Sequence, residues 1–462
     1  MSVTVTAWVW LLVGRALLAG APQGGQDVLE ARWHVLMMQP DPAAAADQIA
    51  SVLRACGPDP ARLKRLIAND SAYRRYPGGW LGRKTSVTDG DTRYDVQFMV
   101  RVPARYDPAR AYPLLLAAHG QGGSARSIGY MMERLLGPAV EDYVICAPTM
   151  PGPTGYNARA YQEQAYLRPL RWTRQHLNID DERIFVAGYS MGGHGAWHLA
   201  TMFPHLFAAA VPMAGVPAFE GGIATTTAYL ENLSNLPVWA IWGQLDRRVP
   251  GTMGNVDFCR MAAARLRQLG NRNFKGTEWP GKGHSGCWPA PAEFRRFLAA
   301  HKRRAAPVKV TYCFHCDRHR QGYYLRALEL ARPAVDFSCR PRRRPRIRLR
   351  PGQRPTTQMV IDAWRKYYAR LLFRMRAELD PAGNTLSINT AGIRSVRVYL
   401  VEGMFDLHRA VRLRLNGRQW QGRVTSSAEC ILRHYAATRD AAAIVLNEID
   451  IDATGKATVR YR

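Results

Sequence analysis

The chain has 462 residues, 47% of them apolar and 22% charged, which excludes a wholly disordered chain, a collagen-like fibre and a polytopic membrane protein. Eight cysteines over this length exclude a small disulfide-stapled scaffold. The formal charge is +28, and the 33 basic and 13 acidic residues between 301 and 462 carry +20 of it. An acidic polysaccharide or another polyanion is therefore a candidate partner of the C-terminal part. Only 8 of the 64 basic residues are lysines, though, and a solvated arginine-rich face is the plainer reading of such a run.

Residues 1–21 hold a short apolar run, Ala7–Val13 and Ala16–Leu18, followed by the small residues Ala19-Gly-Ala21. This reads as a signal peptide and implies a secreted or periplasmic protein, although no basic residue precedes the run and Arg15 interrupts it. The run is too short and broken for a transmembrane segment. Residues 22–85 read as a helical N-terminal extension, with Pro58 and Pro60 dividing its stretches. Tyr94–Val102 alternates apolar and polar side chains, the pattern of a half-buried strand. Short, almost unbroken apolar runs follow at Leu114–Ala118, Tyr143–Ala147, Ile184–Ala187, Ala208–Met213 and Val238–Trp242, separated by helical stretches. Strands buried on both faces and alternating with helices form a parallel sheet, so 86–304 is expected to be an α/β domain ending in a helix near Ala292–Ala300.

His301–Pro307 then reads as a linker to a C-terminal α+β or β-rich domain, 305–462. Its signals are a hairpin at Asn416-Gly417, strands at Val308–Tyr312, Ile393–Leu400 and Ala443–Ile449, and a helix carrying Val360, Trp364, Tyr367, Leu371 and Met375.

The sharpest chemical feature is Ile184-Phe-Val-Ala-Gly188-Tyr-Ser190-Met-Gly192-Gly. A buried strand runs into Gly-x-Ser-x-Gly and then a helix, the setting in which a serine nucleophile stands at the apex of a tight turn. Such a serine needs a base and an acid to orient that base, in the chain order Ser, Asp, His. Asp246 follows the strand Val238–Trp242 directly; its rival, Asp257, falls in the next helical stretch. His284, in Lys282-Gly-His-Ser-Gly286 after a last strand Phe274–Trp279, is the one histidine that fits the order. His119, His194, His198 and His205 are read as structural. The backbone N–H of Met191 and one from the glycine-rich turn His119-Gly-Gln121-Gly-Gly123, with Gln121 the first choice, would form an oxyanion hole.

From about Tyr94 to Trp288 the chain resembles the α/β-hydrolase superfamily, in its branch of secreted esterases and predicted peptidases. Within that branch it is similar to feruloyl esterases, poly(hydroxyalkanoate) depolymerases and prolyl-oligopeptidase-like enzymes. The matching pieces are Tyr112-Pro-Leu-Leu-Leu before His119-Gly120, Gly188-Tyr-Ser-Met-Gly-Gly, Phe203-Pro204, Pro237-Val-Trp-Ala and the segments around Asp246 and His284. The resemblance implies a Ser190–His284–Asp246 triad in a single-chain, cofactor-free hydrolase. One departure is Trp242, where relatives often carry histidine, a change expected at the pocket wall. Ester cleavage is the expected activity, since nothing resembling the β-propeller gate of oligopeptidases precedes the hydrolase motifs. A serine peptidase of the prolyl-oligopeptidase kind, or a non-catalytic hydrolase-fold protein binding acidic polymers, is the alternative. Tyr156, Trp197, Trp279 and Trp288 are candidates for an aromatic pocket, with ordinary packing the plainer reading of each.

Two clusters fall outside these motifs. Cys313-Phe-His315-Cys316-Asp-Arg-His319, with Cys339 further on, offers zinc-ligand types, but the second Cys-x-x-Cys pair is missing. A disulfide or free thiols are the expectation there, and no metal is assigned. In Arg340–Arg350 an extended backbone would align Arg346, Arg348 and Arg350 on one face and turn Ile347 and Leu349 to a core.

Overall fold

The computed structural model describes residues 25–39, 45–69, 73–152, 158–217, 227–247, 253–336 and 345–461. The expected signal peptide, Tyr156, Cys339 and the first half of the arginine run lie outside the described residues. Among those residues no helix is long and apolar enough to cross a membrane.

The first sheet has eight strands: β1 (Gly79–Asp89), β2 (Thr92–Val102), β3 (Tyr112–Ala118), β4 (Val144–Pro148), β5 (Ile179–Tyr189), β6 (Ala209–Met213), β7 (Val238–Gly243) and β8 (Phe274–Trp279). Their spatial order is β1-β2-β4-β3-β5-β6-β7-β8. The β1–β2 and β2–β4 pairs are antiparallel and every later pair is parallel. β3, β4, β6 and β7 are buried at every position, as strands covered by helices on both faces must be. This is the strand order and helix-covered sheet of the α/β-hydrolase fold. β1 pairs with β2 over its whole length, so the sheet begins at Gly79 and not at residue 86.

Three helices precede this sheet: α1 (Gly25–Met37), α2 (Ala46–Cys56) and α3 (Pro60–Ala68). The helices of the hydrolase layer are α4 (Ala125–Leu136), α5 (Ala160–His176), α6 (Met191–Met202), α7 (Asn255–Gln268) and α8 (Pro291–Ala299).

The C-terminal part contains two five-stranded sheets. One runs β16-β15-β13-β12-β9 and the other β10-β11-β14-β17-β18. Their strands are β9 (Lys309–Phe314), β10 (Gln321–Gly322), β11 (Leu325–Leu330), β12 (Phe373–Asp380), β13 (Thr385–Ala391), β14 (Ile393–Val401), β15 (Val411–Leu415), β16 (Arg418–Gly422), β17 (Val445–Asp452) and β18 (Ala457–Val459). Inward residues of both sheets, among them Tyr312, Met375, Leu386, Val396, Leu413 and Ile449, share one core, so the sheets form a β-sandwich. Asn416 and Gly417 both have positive φ, 49° and 86°, which is what the two-residue turn between β15 and β16 requires. Two helices accompany the sandwich, α9 (Thr357–Leu371) and α10 (Ala428–Thr438).

The structure corrects three expectations and adds one contact that the sequence did not indicate. The helix carrying Trp364 ends at Leu371, and Met375 lies on β12, where alternation buries it. Residues 345–350 form no strand, and Leu349 is 39% exposed instead of facing a core. The segment 301–307 is not a loose linker. Arg303 within it is buried, ion-paired to Asp440, and donates to the carbonyls of Asp181 and His205 at 2.9 Å each. The N-terminal helices pack on the C-terminal part: Leu29, Trp33, Val52 and Leu63 share a core with Ile431, Leu432 and Tyr435 of α10.

Candidate active site

Ser190 stands between β5 and α6 with φ 57° and ψ −117°, a backbone conformation that costs a non-glycine residue on the order of 1–3 kcal/mol. The flanking glycines make that turn possible. A Cβ on Gly188 would lie 2.1 Å from the Gly192 carbonyl oxygen, and one on Gly192 would lie 1.9 Å from that of Ala118. No side chain fits at either position.

Ser190 Oγ is 2.7 Å from His284 Nε2, and His284 Nδ1 is 3.0 Å from each oxygen of Asp246. With the carboxylate able only to accept, Nδ1 carries the proton and Nε2 is left as the acceptor for the serine hydroxyl. Asp246 is buried, while the His284 side chain is 43% exposed. Asn255 Nδ2 donates to Asp246 Oδ2 at 3.2 Å, and the Tyr189 hydroxyl donates to the His284 carbonyl at 2.7 Å. The loop bearing His284 can lie this close because Gly243 has no side chain: a Cβ there would meet the Gly283 carbonyl oxygen at 2.1 Å.

Asp257 belongs to a different arrangement. It accepts from the Gly254 N–H at the start of α7 at 2.9 Å and pairs with Arg247 at 2.8 Å, so it caps a helix. The other histidines are likewise engaged elsewhere. His119 is buried, accepts from Met150 N–H on Nε2 at 2.8 Å and donates from Nδ1 to the Gly120 carbonyl at 2.7 Å. His194 Nδ1 accepts from Val216 N–H at 2.8 Å, and His198 Nε2 meets Glu163 at 2.7 Å. Burial holds the imidazoles of His119 and His198 below the ordinary range and that of His205 down at about 4.

Met191 opens α6, where the first N–H groups of a helix have no intrahelical acceptor. Gly120, the residue before Gln121, runs against the serine: a Cβ on it would stand 3.4 Å from that of Ser190. The His119 hydrogen bond to the Gly120 carbonyl fixes this turn, a role that the sequence did not suggest. Tyr189 had a signal in its place beside the serine, whereas Asn255 had none.

Of the aromatic candidates, Trp197 is buried in the core, its N–H donated to the Gly215 carbonyl at 3.2 Å. Trp242 is also a core residue, hydrogen-bonded through its N–H to Glu278 at 2.8 Å, and so forms no pocket wall. Trp279 is half-buried. Trp288 is 46% exposed and packs edge-on to Tyr189 at 6.1 Å, which puts one exposed ring beside the serine.

Residues 91–268 match the model of the family described as Esterase. Comparison with the curated proteins finds no match. Among solved structures the chain is similar to a thermostable esterase, at 23% identity and a TM-score of 0.39 over 48% of this chain and 63% of the other. It thus spans less than two thirds of that esterase's length. It is also similar to a ferulic acid esterase from the anaerobic fungus Anaeromyces mucronatus, at 16% identity and a TM-score of 0.32 over 49% and 93% of the two chains. A third likeness is to an acylaminoacyl peptidase, at 17% identity and a TM-score of 0.35 over 47% and 40%. The strand order and the Gly-x-Ser-x-Gly turn give the region around the first sheet the α/β-hydrolase fold, and residues 91–268 within it match the Esterase family model.

Proposed function

We propose that the protein hydrolyses carboxylic esters through Ser190, His284 and Asp246. The observation that carries this reading is the continuous line of hydrogen bonds from the Ser190 hydroxyl through the imidazole to a buried carboxylate. Ser190 Oγ attacks the ester carbonyl while His284 Nε2 takes its proton, and Asp246 stabilises the imidazolium that forms. The N–H groups of Met191 and of the Gln121 turn hold the developing oxyanion. The imidazolium then returns the proton to the departing alcohol. Water, deprotonated by the same nitrogen, releases the acyl group from the serine. Trp288 and Tyr189 offer an apolar edge on which an aromatic or acyl group of the substrate would rest.

The test is turnover of the purified protein on a panel of nitrophenyl, aryl and feruloyl esters beside peptide anilides. Ester turnover that disappears in Ser190→Ala supports the reading. Faster cleavage of the anilides would make the protein a peptidase, and no turnover of either class would remove the proposed reaction.

A further inference from the structure

β9 ends at Phe314, and the five residues after it, His315-Cys-Asp-Arg-His319, bury three metal-ligating side chains in one place. One donor atom from each of His315, Cys316 and His319 can be chosen so that all lie within 4.8 Å of one another. Cys316 Sγ is 3.2 Å from His319 Nδ1. Asp336 stands beside them, its Oδ1 3.6 Å from His315 Nε2 and its Oδ2 held by Arg318. Cys313, on β9 three residues before Cys316, is not joined to it; its thiol is directed at the Ala228 carbonyl.

The surroundings orient both imidazoles. His319 Nε2 is held at 2.7 Å by Glu163 of α5, which leaves Nδ1 turned to the thiol. His315 Nδ1 is held at 2.8 Å by the Tyr229 hydroxyl, which leaves Nε2 on the side of Asp336. A carboxylate or hydroxyl fixing one ring nitrogen while the other faces the donor cluster is the arrangement by which proteins set histidine ligands on a metal.

We propose that His315, Cys316, His319 and Asp336 bind one zinc ion that fastens the C-terminal sandwich to the hydrolase domain. Zinc takes four ligands of these types in a tetrahedron, and bonds of ~2.0–2.3 Å set neighbouring donors ~3.3–3.6 Å apart. The 3.2 Å between Cys316 Sγ and His319 Nδ1 is close to that spacing, while Asp336, 3.6 Å from His315 Nε2 but outside the cluster of the other donors, would have to swing inward to complete the tetrahedron. Charge also balances. With both imidazoles neutral, as metal ligands must be, Cys316 thiolate, Glu163 and Asp336 carry three negative charges against the positive charge of Arg318, and a divalent cation makes this cluster neutral. His315, Cys316 and His319 are buried, which suits a structural site more than one that presents a metal to substrate. Its orienting groups, Glu163 and Tyr229, come from the hydrolase side, and its ligands from the sandwich side.

The full-length protein, purified without chelator, should contain one zinc per chain by elemental analysis. After removal of the metal, cobalt(II) should restore one equivalent of binding and give the near-ultraviolet absorption of a thiolate bound to cobalt. Cys316→Ser should abolish that band, whereas Cys313→Ser should keep it. If the Cys316 variant does not fold, the wild-type cobalt spectrum decides alone. A wild-type protein that carries no stoichiometric metal and shows no thiolate–cobalt band overturns the proposal, as does stoichiometric iron or copper in place of zinc.

Discussion

Asn232 and Cys313 exchange two buried hydrogen bonds. The Asn232 amide donates to the Cys313 carbonyl at 2.9 Å, and the Cys313 N–H donates to Asn232 Oδ1 at 2.7 Å. One side chain thereby imitates a strand partner for β9 and ties the sandwich to the hydrolase layer, with a further bond from the same amide to the Thr201 carbonyl at 2.8 Å. Asn232→Ala leaves a buried N–H and two buried carbonyls without this partner, and unsatisfied groups of that kind cost about 1–3 kcal/mol each. We expect urea unfolding to show a loss of about 2–4 kcal/mol, with kcat on a small ester unchanged in the folded protein.

At the candidate site, a fluorophosphonate probe is expected to label Ser190 and to leave Ser190→Ala unlabelled. Turnover of a nitrophenyl ester should fall by roughly 10⁴–10⁶-fold in that variant. Adding His284→Ala to it should cost little more, because the two residues act as one unit. Mass spectrometry of the labelled peptide identifies the residue, and full labelling of Ser190→Ala would exclude Ser190 as the nucleophile.

Asp246 and Asp257 can be separated by substitution. Asp246→Asn keeps the fold but presents an amide to His284 Nδ1, so the imidazole loses its orienting acceptor, with an expected drop in kcat of about 10⁴-fold. Asp257→Asn touches only the start of α7 and its pairing with Arg247, and should cost ~1 kcal/mol of stability with little change in rate. The reverse pattern, in steady-state kinetics and thermal melts, would move the acid to Asp257.

The hydrolase region was legible in the sequence because its signals are local. Val238–Trp242 is an unbroken apolar run that can only be a doubly covered strand, and Gly188 is required by a contact within the turn itself, with the Gly192 carbonyl oxygen. Chain order then selected Asp246 and His284, which the structure brings to within hydrogen-bonding distance of each other and of Ser190. What escaped is what long-range contacts decide. Nothing near Arg303 in the sequence announces Asp440 as its partner, so a buried ion pair read as a charged linker. Trp242 was expected at a pocket wall because an aromatic side chain looks the same in a core as in a site, whereas Trp197 packs in the core as its more ordinary reading has it. Of the disulfide or free thiols expected at Cys313 and Cys316, the structure has free thiols, because Cys313 lies on a strand with its thiol turned to Ala228 while Cys316 lies in the turn beyond it.

Several buried imidazoles resist protonation, and this gives stability a pH dependence of definite sign. His205 titrates at about 4 instead of 6.5, through burial first and the neighbouring Arg303 cation second, with Asp440 acting in the opposite sense. Between those values the unfolded chain binds a proton that the folded chain refuses. Stability is therefore expected to fall as pH drops below ~6.5, by at most about 1.4 kcal/mol per pH unit for one such histidine, and to level off near its folded value. His119 acts in the same direction. Chemical unfolding between pH 7 and 4.5 measures the slope, and His205→Gln should make it shallower. An unchanged slope would mean that His205 is already protonated in the folded protein.

The strongly basic C-terminal part offers a last test, between a separable module and a structural half of the molecule. If it were an appended binding module, a chain ending at Arg304 would keep full activity on a small ester and lose only its retention on anionic supports. The contacts favour the opposite outcome. Arg303 would lose Asp440, and Arg174, paired to Asp181 at 2.8 Å, would lose its second carboxylate and the Arg439 carbonyl it donates to. Removing one partner from a buried ion pair costs about 3–5 kcal/mol, and the Tyr312 bond to the Met202 carbonyl and the Asn232 pairing would be lost with it. The truncated chain is expected to melt without cooperativity and to lose small-ester turnover. In the full-length protein, Asp440→Asn should lower the unfolding midpoint markedly while leaving kcat intact below it. A truncated chain that melts cooperatively with full turnover would instead make the hydrolase region an independent domain, and the +20 of residues 301–462 would regain its reading as a separable polyanion surface.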